Sequence, residues 1–211
     1  MSMQELWVTF QLAGMVMIPL SVLAVLAFAV IIEKTWLYLR YARLPAEVLD
    51  LVETYDFDWS RLQDRLHAMP DLNCFARFFR VILLNREHPV WWVESRAADE
   101  AQQIEQILAA RLWILETVVT AAPLLGLLGT ILGMMHAFHM IGNQGLVNPA
   151  GVTGGVAQAL IATAVGLLIA LCSLFGFNFF SRLQTRTLDE MERLGTRVVD
   201  HVRLDQQQEI S

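Results

Sequence analysis

From Thr117 to Ser181 the chain runs for 65 residues without a single Asp, Glu, Lys or Arg. A soluble domain carries about 25% charged residues spread over its length, so a stretch this long belongs in lipid. A second uncharged run, Leu6–Ile32, lies near the N-terminus. A helix needs roughly 20 apolar residues to cross the hydrocarbon core of a bilayer. The shorter run therefore holds one span, and the longer run holds two spans with a connection. That connection is "IGNQGLVNPAGVTGG", whose Gly, Asn and Pro content favours turns. The expected fold is an all-α membrane protein with transmembrane helices over 12–32, 117–141 and 155–180. With 17% charged residues overall, the whole composition agrees.

Orientation follows from the basic residues. All 15 Lys and Arg lie between Lys34 and Arg111 or from Arg182 onward. Basic flanks stay in the cytoplasm. Residues 1–11 and the 142–154 loop are thus expected outside, with a helical domain over 33–116 and a C-terminal helix over 181–211 inside. The first run lacks a basic stretch before it and a small-residue cleavage site after it, so it does not read as a cleavable signal. Glu33, Lys34, Arg40 and Arg43 follow it as a stop-transfer flank.

Several function classes find no support. The net charge of −6 argues against nucleic-acid binding, which wants a basic face. Cys74 and Cys172 fall on different sides of the topology and read as two buried small apolar residues. Metal-ligand spacing, a nucleophile elbow and a Gly-rich phosphate loop are all missing from the sequence. Neither an enzyme nor a metal protein is expected.

Inside, "PAEVLDLVETY", "DWSRLQDRLHAM" and "CFARFFRVILLN" read as three short helices. Val93, Ala97, Ala101, Ile104, Leu108, Leu112 and Leu115 then recur every three to four residues. No Gly or Pro interrupts them before Pro123. The pattern predicts one unbroken helix from about Trp91 into the second span, a rod of ~75 Å at 1.5 Å per residue. Leu188, Met191, Leu194, Val198 and Val202 carry a similar stripe out of the third span. The long helices need partners along their length: the short helices and other copies of the chain.

The spans carry their own patterns. Ala122, Gly126, Gly129, Gly133 and Ala137 form a small-residue stripe on the second. Such stripes let helices approach closely in lipid. Ala159, Thr163, Gly166, Ala170 and Ser173 share a small, mildly polar face of the third. If the two spans pack together, Thr130 and Thr163 can share a seam. Pro123 removes a backbone donor and implies either a structural kink or a water-lined bend. His136 and His139, at i and i+3, suit either interfacial hydrogen bonding or proton entry from outside. Proton conduction by this chain alone would want an ionisable group at mid-membrane. None is present at depth, so a partner must bring it, or the assembly does not conduct.

These residues carry a resemblance. "APLLGLLGTILGM" (Ala122–Met134) and "GVAQALIATAVGLLIAL" (Gly155–Leu171) resemble the two signature spans of the ExbB/TolQ/MotA proton-channel family. "MVMIPLSVLAVLAFAVIIEKTWLYLR" (Met15–Arg40) resembles the first span of the ExbB branch. The likeness covers all three spans, their order and the large loop between the first two. It implies a multi-pass protein of the bacterial inner membrane, with a periplasmic N-terminus and a cytoplasmic C-terminus. It implies a homopentameric ring around two copies of a single-span partner of the ExbD or TolR type, which brings an Asp in its span. Proton flow through that Asp would drive a TonB- or TolA-like protein that acts on the outer membrane. Thr130 and Thr163 match the ring positions that face the Asp, and Pro123 matches the family's Pro. Membrane lipid is an expected partner and phospholipid an expected bound molecule; no cofactor beyond the translocated proton is implied.

One position departs. ExbB and TolQ commonly carry Glu where this chain has Gln158, and Gln cannot titrate. Stator proteins of the flagellar type also lack that acid. A Tol-Pal-type or stator-type motor subunit thus stands beside the ExbB reading, and a non-conducting membrane scaffold is the alternative of another class.

Overall fold

The computed structural model describes residues 16–42, 46–53, 57–70, 73–142 and 149–210. Among them every regular element is helix: α1 (Met17–Tyr41), α2 (Ala46–Glu53), α3 (Trp59–Ala68), α4 (Cys74–Asn85), α5 (Val90–Ala109), α6 (Leu112–Gly142) and α7 (Pro149–Ile210). Local chemistry sets the helix starts. The Asp58 carboxylate accepts the Ser60 N–H at 2.8 Å and opens α3. The Asn73 side chain accepts the N–H groups of Phe75 and Ala76 and opens α4. Both are N-caps that satisfy otherwise unpaired amides of the first turn. Pro149 is the first residue of α7, where a missing N–H costs nothing.

Two boundaries differ from the sequence expectation. Helix α7 begins at Pro149, six residues before the expected start at 155, because isolated glycines lower helix propensity without forbidding it. The second difference is a correction. The predicted unbroken helix from Trp91 into the second span does not exist: α5 ends at Ala109 and α6 begins at Leu112. Arg111 between them takes a left-handed φ of 64°. An apolar stripe of constant period says nothing about a single reversed residue, and the break spares the stripe on either side of it. The N-terminal part of the expected first span, residues 12–15, lies outside the described residues, as does the loop over 143–148.

The described residues divide into two compact units. The first comprises residues up to Ile32 with Arg111–Phe179. Its large apolar side chains face outward: Leu124 is 67% exposed, Phe138 67% and Phe175 68%. Met17–Tyr41, Val90–Phe138 and Thr153–Gln207 each contain a stretch long and apolar enough to cross a membrane, the second running through the Ala110–Arg111 break. Side chains of this size, turned outward without charge around them, need lipid or another protein against them. The chain is a membrane protein with three spanning helices.

The second unit comprises Glu33–Ala110 and the chain from Phe180. Val48, Leu62, Phe75, Phe79, Ile82, Val93, Ile104, Met191, Leu194 and Val198 are all buried in it. Gly195 admits the ring of Phe78, since an added Cβ would lie 2.6 Å from its Cζ. Cys74 is buried here, which pushes its thiol up to about 11. Lys34, the single lysine of the chain, is 1% exposed. Its ammonium donates to the Leu108 carbonyl at 2.7 Å and to that of Ile107 at 3.5 Å. These carbonyls belong to the last turn of α5, which has no intrahelical donors left for them.

Candidate functional site in the seam between α6 and α7

Within the first unit α6 and α7 run antiparallel along a line of small residues. An added Cβ shows how closely they approach. At Gly126 it would lie 2.9 Å from the Thr163 Cα, at Gly129 2.7 Å from the Ala162 Cβ, and at Gly133 2.7 Å from the Ala159 Cβ. At Gly166 it would lie 2.5 Å from the Ala122 carbonyl oxygen. Real Cβ atoms do not approach so closely, so each of these positions excludes a side chain. Glycines on one helix meet alanines or backbone on the other, which is the close packing that small residues allow in lipid. Ala159 and Ala170 are buried, and Ser173 beyond them is fully buried with its hydroxyl on the Ile169 carbonyl at 2.8 Å.

Two hydroxyls lie on this frame. The Thr163 Oγ1, half-buried, donates across the seam to the Gly126 carbonyl at 2.7 Å. Thr130 is half-buried as a residue, but its Oγ1 is exposed and donates to the Leu127 carbonyl of its own helix at 2.7 Å. Both hydroxyl protons are thus committed to backbone. A hydroxyl has one proton and two lone pairs, so each oxygen is left as an acceptor only. The two threonines do not bond each other: Thr163 reaches α6 one turn before Thr130.

The other expected site residues are spread along the same two helices. Pro123 stands inside α6, half-buried, directly after Ala122, where Gly166 makes its closest approach. It denies the Val119 carbonyl its usual donor four residues on. Gln158 is half-buried, one position before Ala159. His136 is exposed on α6, and the side chain of His139 lies outside the described residues. Among the described residues no group of three His, Cys, Asp or Glu could hold a metal.

Sequence reasoning missed two members of the seam. Gly155 faces Ala137, with an added Cβ at 3.0 Å from its Cβ, and Ala162 opposes Gly129. Gly155 was legible as the residue four before Ala159, on the same face. Ala162 was not, since alanines surround it and only the partner helix singles it out.

The model of a protein family described as the MotA/TolQ/ExbB proton channel family matches residues 71–193. The match takes in the α6–α7 seam whole. The chain belongs to this family. It is 36% identical over 181 residues to the putative biopolymer transport protein ExbB-like 3 of Synechocystis sp., covering 82% of this chain and 83% of that one. To the biopolymer transport protein ExbB of Aquifex aeolicus it is 42% identical over 92 residues, 44% of this chain and 62% of the relative. The ExbB of Xanthomonas campestris is 39% identical over 85 residues, 40% of this chain and 34% of the relative. Among the family's branches the chain stands with ExbB, and the family is one of proton channels rather than of enzymes.

Proposed function

We propose that this chain is the ring-forming subunit of a proton-driven motor in the bacterial inner membrane. Several copies, five by likeness to the family, surround an ExbD-like pair of single-span partners, and the motor energises a TonB-like protein. The carrying observation is the seam: the hydroxyls of two half-buried threonines on small-residue helices that hold no Asp, Glu, Lys or Arg at depth. A proton crossing here needs a carrier, and a partner carboxyl supplies it.

The direction of the hydroxyl bonds gives the step its chemistry. With their protons on backbone carbonyls, Thr130 and Thr163 offer lone pairs. A lone pair accepts from a protonated carboxylic acid and repels a carboxylate. The seam therefore stabilises the neutral acid and raises its pKa. For the carboxylate to bind, a threonine must give up its backbone bond and turn its proton outward. Loading and release of the proton thus couple to a rotamer change at the seam. The Val119 carbonyl beside Pro123 offers a further acceptor on α6. The Gln158 amide can hydrogen-bond along the path but cannot carry charge. That absence of a titrating ring acid gives the stator-like motor its standing as a second reading.

The test is proton flux into liposomes holding the chain with the single-span protein that co-purifies from its native membrane, followed by an internal pH dye. Flux that falls on Thr163→Val and on Thr130→Val supports the reading. Complexes with no such second chain, or unchanged flux in both variants, overturn it and leave the scaffold.

A further inference from the structure

Glu116 stands immediately before the charge-free stretch, as the fifth residue of α6. Among the described residues of the first unit, Glu116 and Arg111 are the only Asp, Glu, Lys or Arg. Glu116 is exposed. It has neither an ion pair nor a hydrogen bond among the described residues, Arg111 included. It also lies past the first turn of α6, where the pull of the helix dipole on an acid fades. A lone carboxylate at the end of a span therefore has no structural partner within this unit.

The helix register puts it in line with the candidate site. Counted at 3.6 residues per turn, Glu116, Thr120, Pro123, Leu127 and Thr130 fall within an arc of about 80°, about 100° round from the glycine line that packs on α7. Glu116, Thr120 and Leu127 are exposed, and Pro123 and Thr130 are half-buried. This face is polar in one direction only. From Thr130 toward Glu116 it holds the Val119 carbonyl, freed by Pro123, and the Thr120 hydroxyl. That hydroxyl donates to the Thr117 carbonyl at 2.9 Å, so its oxygen is left as an acceptor. Away from Glu116 the same arc continues through Met134 and Phe138, both exposed and apolar. Acceptors stabilise a hydrated proton, whereas a thioether and a phenyl ring do not. On α6, a proton released at the depth of Thr130 finds polar groups only on the way to Glu116. The two residues stand about 21 Å apart along the axis, an interval that water must bridge.

We infer that Glu116 is the proton-accepting group at the exit of this path, at the end of α6 that the basic flanks put in the cytoplasm. The inference rests on the ring reading above and deepens it by naming where the proton leaves. The partner's carboxylic acid loses its O–H proton to the water chain and becomes a carboxylate. At the far end the Glu116 carboxylate takes a proton from that chain, and it then passes this proton to bulk water. Charge and protons balance, and nothing is oxidised or reduced. Thr120 and the Val119 carbonyl hold the water chain and do not titrate.

The experiment places the full chain and its co-purifying single-span partner in liposomes with an acidic interior, the Glu116 end outward, and follows an internal pH dye. Positioned proton-transfer groups contribute ~10²–10⁴-fold. Water replaces Glu116 in part, so we expect Glu116→Gln to lower proton flux by more than about tenfold. Glu116→Asp should keep most of it. A concentrated, membrane-impermeant buffer outside should restore flux in Glu116→Gln, because a mobile base then does the work of the fixed one. The same buffer should do nothing for Thr163→Val, whose fault lies at depth. Thermal unfolding and the mass of the complex are measured for each variant. Unchanged flux in Glu116→Gln, with Thr163→Val still blocking it, overturns the exit role and leaves the ring reading standing. Flux lost in Glu116→Gln and restored by neither Asp nor buffer, or lost together with the partner chain, makes Glu116 a structural residue and overturns the inference as well. Flux that ignores Glu116, Thr130 and Thr163 alike overturns both readings.

Discussion

The Thr163 hydroxyl gives its proton to the Gly126 carbonyl on the neighbouring helix, 2.7 Å away. This bond gives Thr163 a structural role beside the one proposed for it. Thr163→Val keeps the shape and loses the bond. Interhelical hydrogen bonds in membranes are worth about 0.6 kcal/mol on average, so a loss of about that size is expected. Thr163→Ser should retain it. Thermal unfolding in detergent, with Thr163→Ser as reference, checks this; equal midpoints for Ser and Val would show that the bond contributes nothing.

Thr130 separates the two roles. Its hydroxyl bonds the Leu127 carbonyl of its own helix, a local bond that adds little to a helix. Thr130→Val should leave thermal stability within about 0.5 kcal/mol while proton flux falls. A large loss of stability would mean that Thr130 packs the seam, and its loss of flux would then say nothing about the pathway.

The glycines of α7 are not equivalent. Gly166→Ala would drive a Cβ to 2.5 Å from the Ala122 carbonyl oxygen, whereas nothing lies within 4 Å of a Cβ at Gly154. Backbone cannot yield as a flexible side chain can. We expect Gly166→Ala to cost about 1–3 kcal/mol. Gly154→Ala should gain up to about 1 kcal/mol from helix propensity. Unfolding midpoints of the two variants should move in opposite directions.

Sequence and structure agree where one physical signal decides the outcome. Uncharged length fixes the spans, and the small residues at Gly126, Gly133, Ala159 and Gly166 mark the faces that meet, because lipid rewards close packing above all. What escaped was non-local. The break at Arg111 carries no Gly or Pro, and its compensation by Lys34 comes from 74 positions away in the chain. The direction of the Thr163 bond was equally hidden, since a threonine can serve its own helix or its neighbour, and only the register between helices chooses.

His201 gives the second unit an acid-sensitive contact. Its ring stacks on Phe57, centroids 4.2 Å apart and planes 6° from parallel. Burial holds its pKa below the ordinary value, against the opposing pull of Asp205 and Asp200. A folded pKa below the unfolded one, about 6.5, means that the neutral ring favours folding. The contribution is present above that pH and is lost as pH falls through the folded value. Hydrogen exchange over 196–207 should therefore quicken between pH 7.5 and pH 5, after correction for intrinsic rates. In His201→Phe the change should shrink. A faster exchange at the higher pH would reverse the sign and refute the assignment.

Arg111 takes its positive φ at the break between α5 and α6, and Lys34 pairs the carbonyls of the α5 turn before it. A non-glycine residue at positive φ costs about 1–3 kcal/mol and persists only where its surroundings hold it. Lys34 is the visible restraint, with its buried ammonium on the Leu108 carbonyl at 2.7 Å. A cation also suits the negative end of the α5 dipole. Lys34→Met keeps the length of the side chain and removes the donor. Buried carbonyls left unpaired cost about 1–3 kcal/mol, so the last turn of α5 should open at least several-fold more often. Hydrogen exchange over 104–110 reads this directly, since the Ala110 N–H still holds the Gln106 carbonyl at 3.0 Å in the intact turn. Arg111→Gly acts on the other half of the pair: it removes the positive-φ cost and should slow exchange in the same turn. If Lys34→Met leaves exchange unchanged while Arg111→Gly slows it, the ammonium does not hold the last turn of α5 and is a passenger.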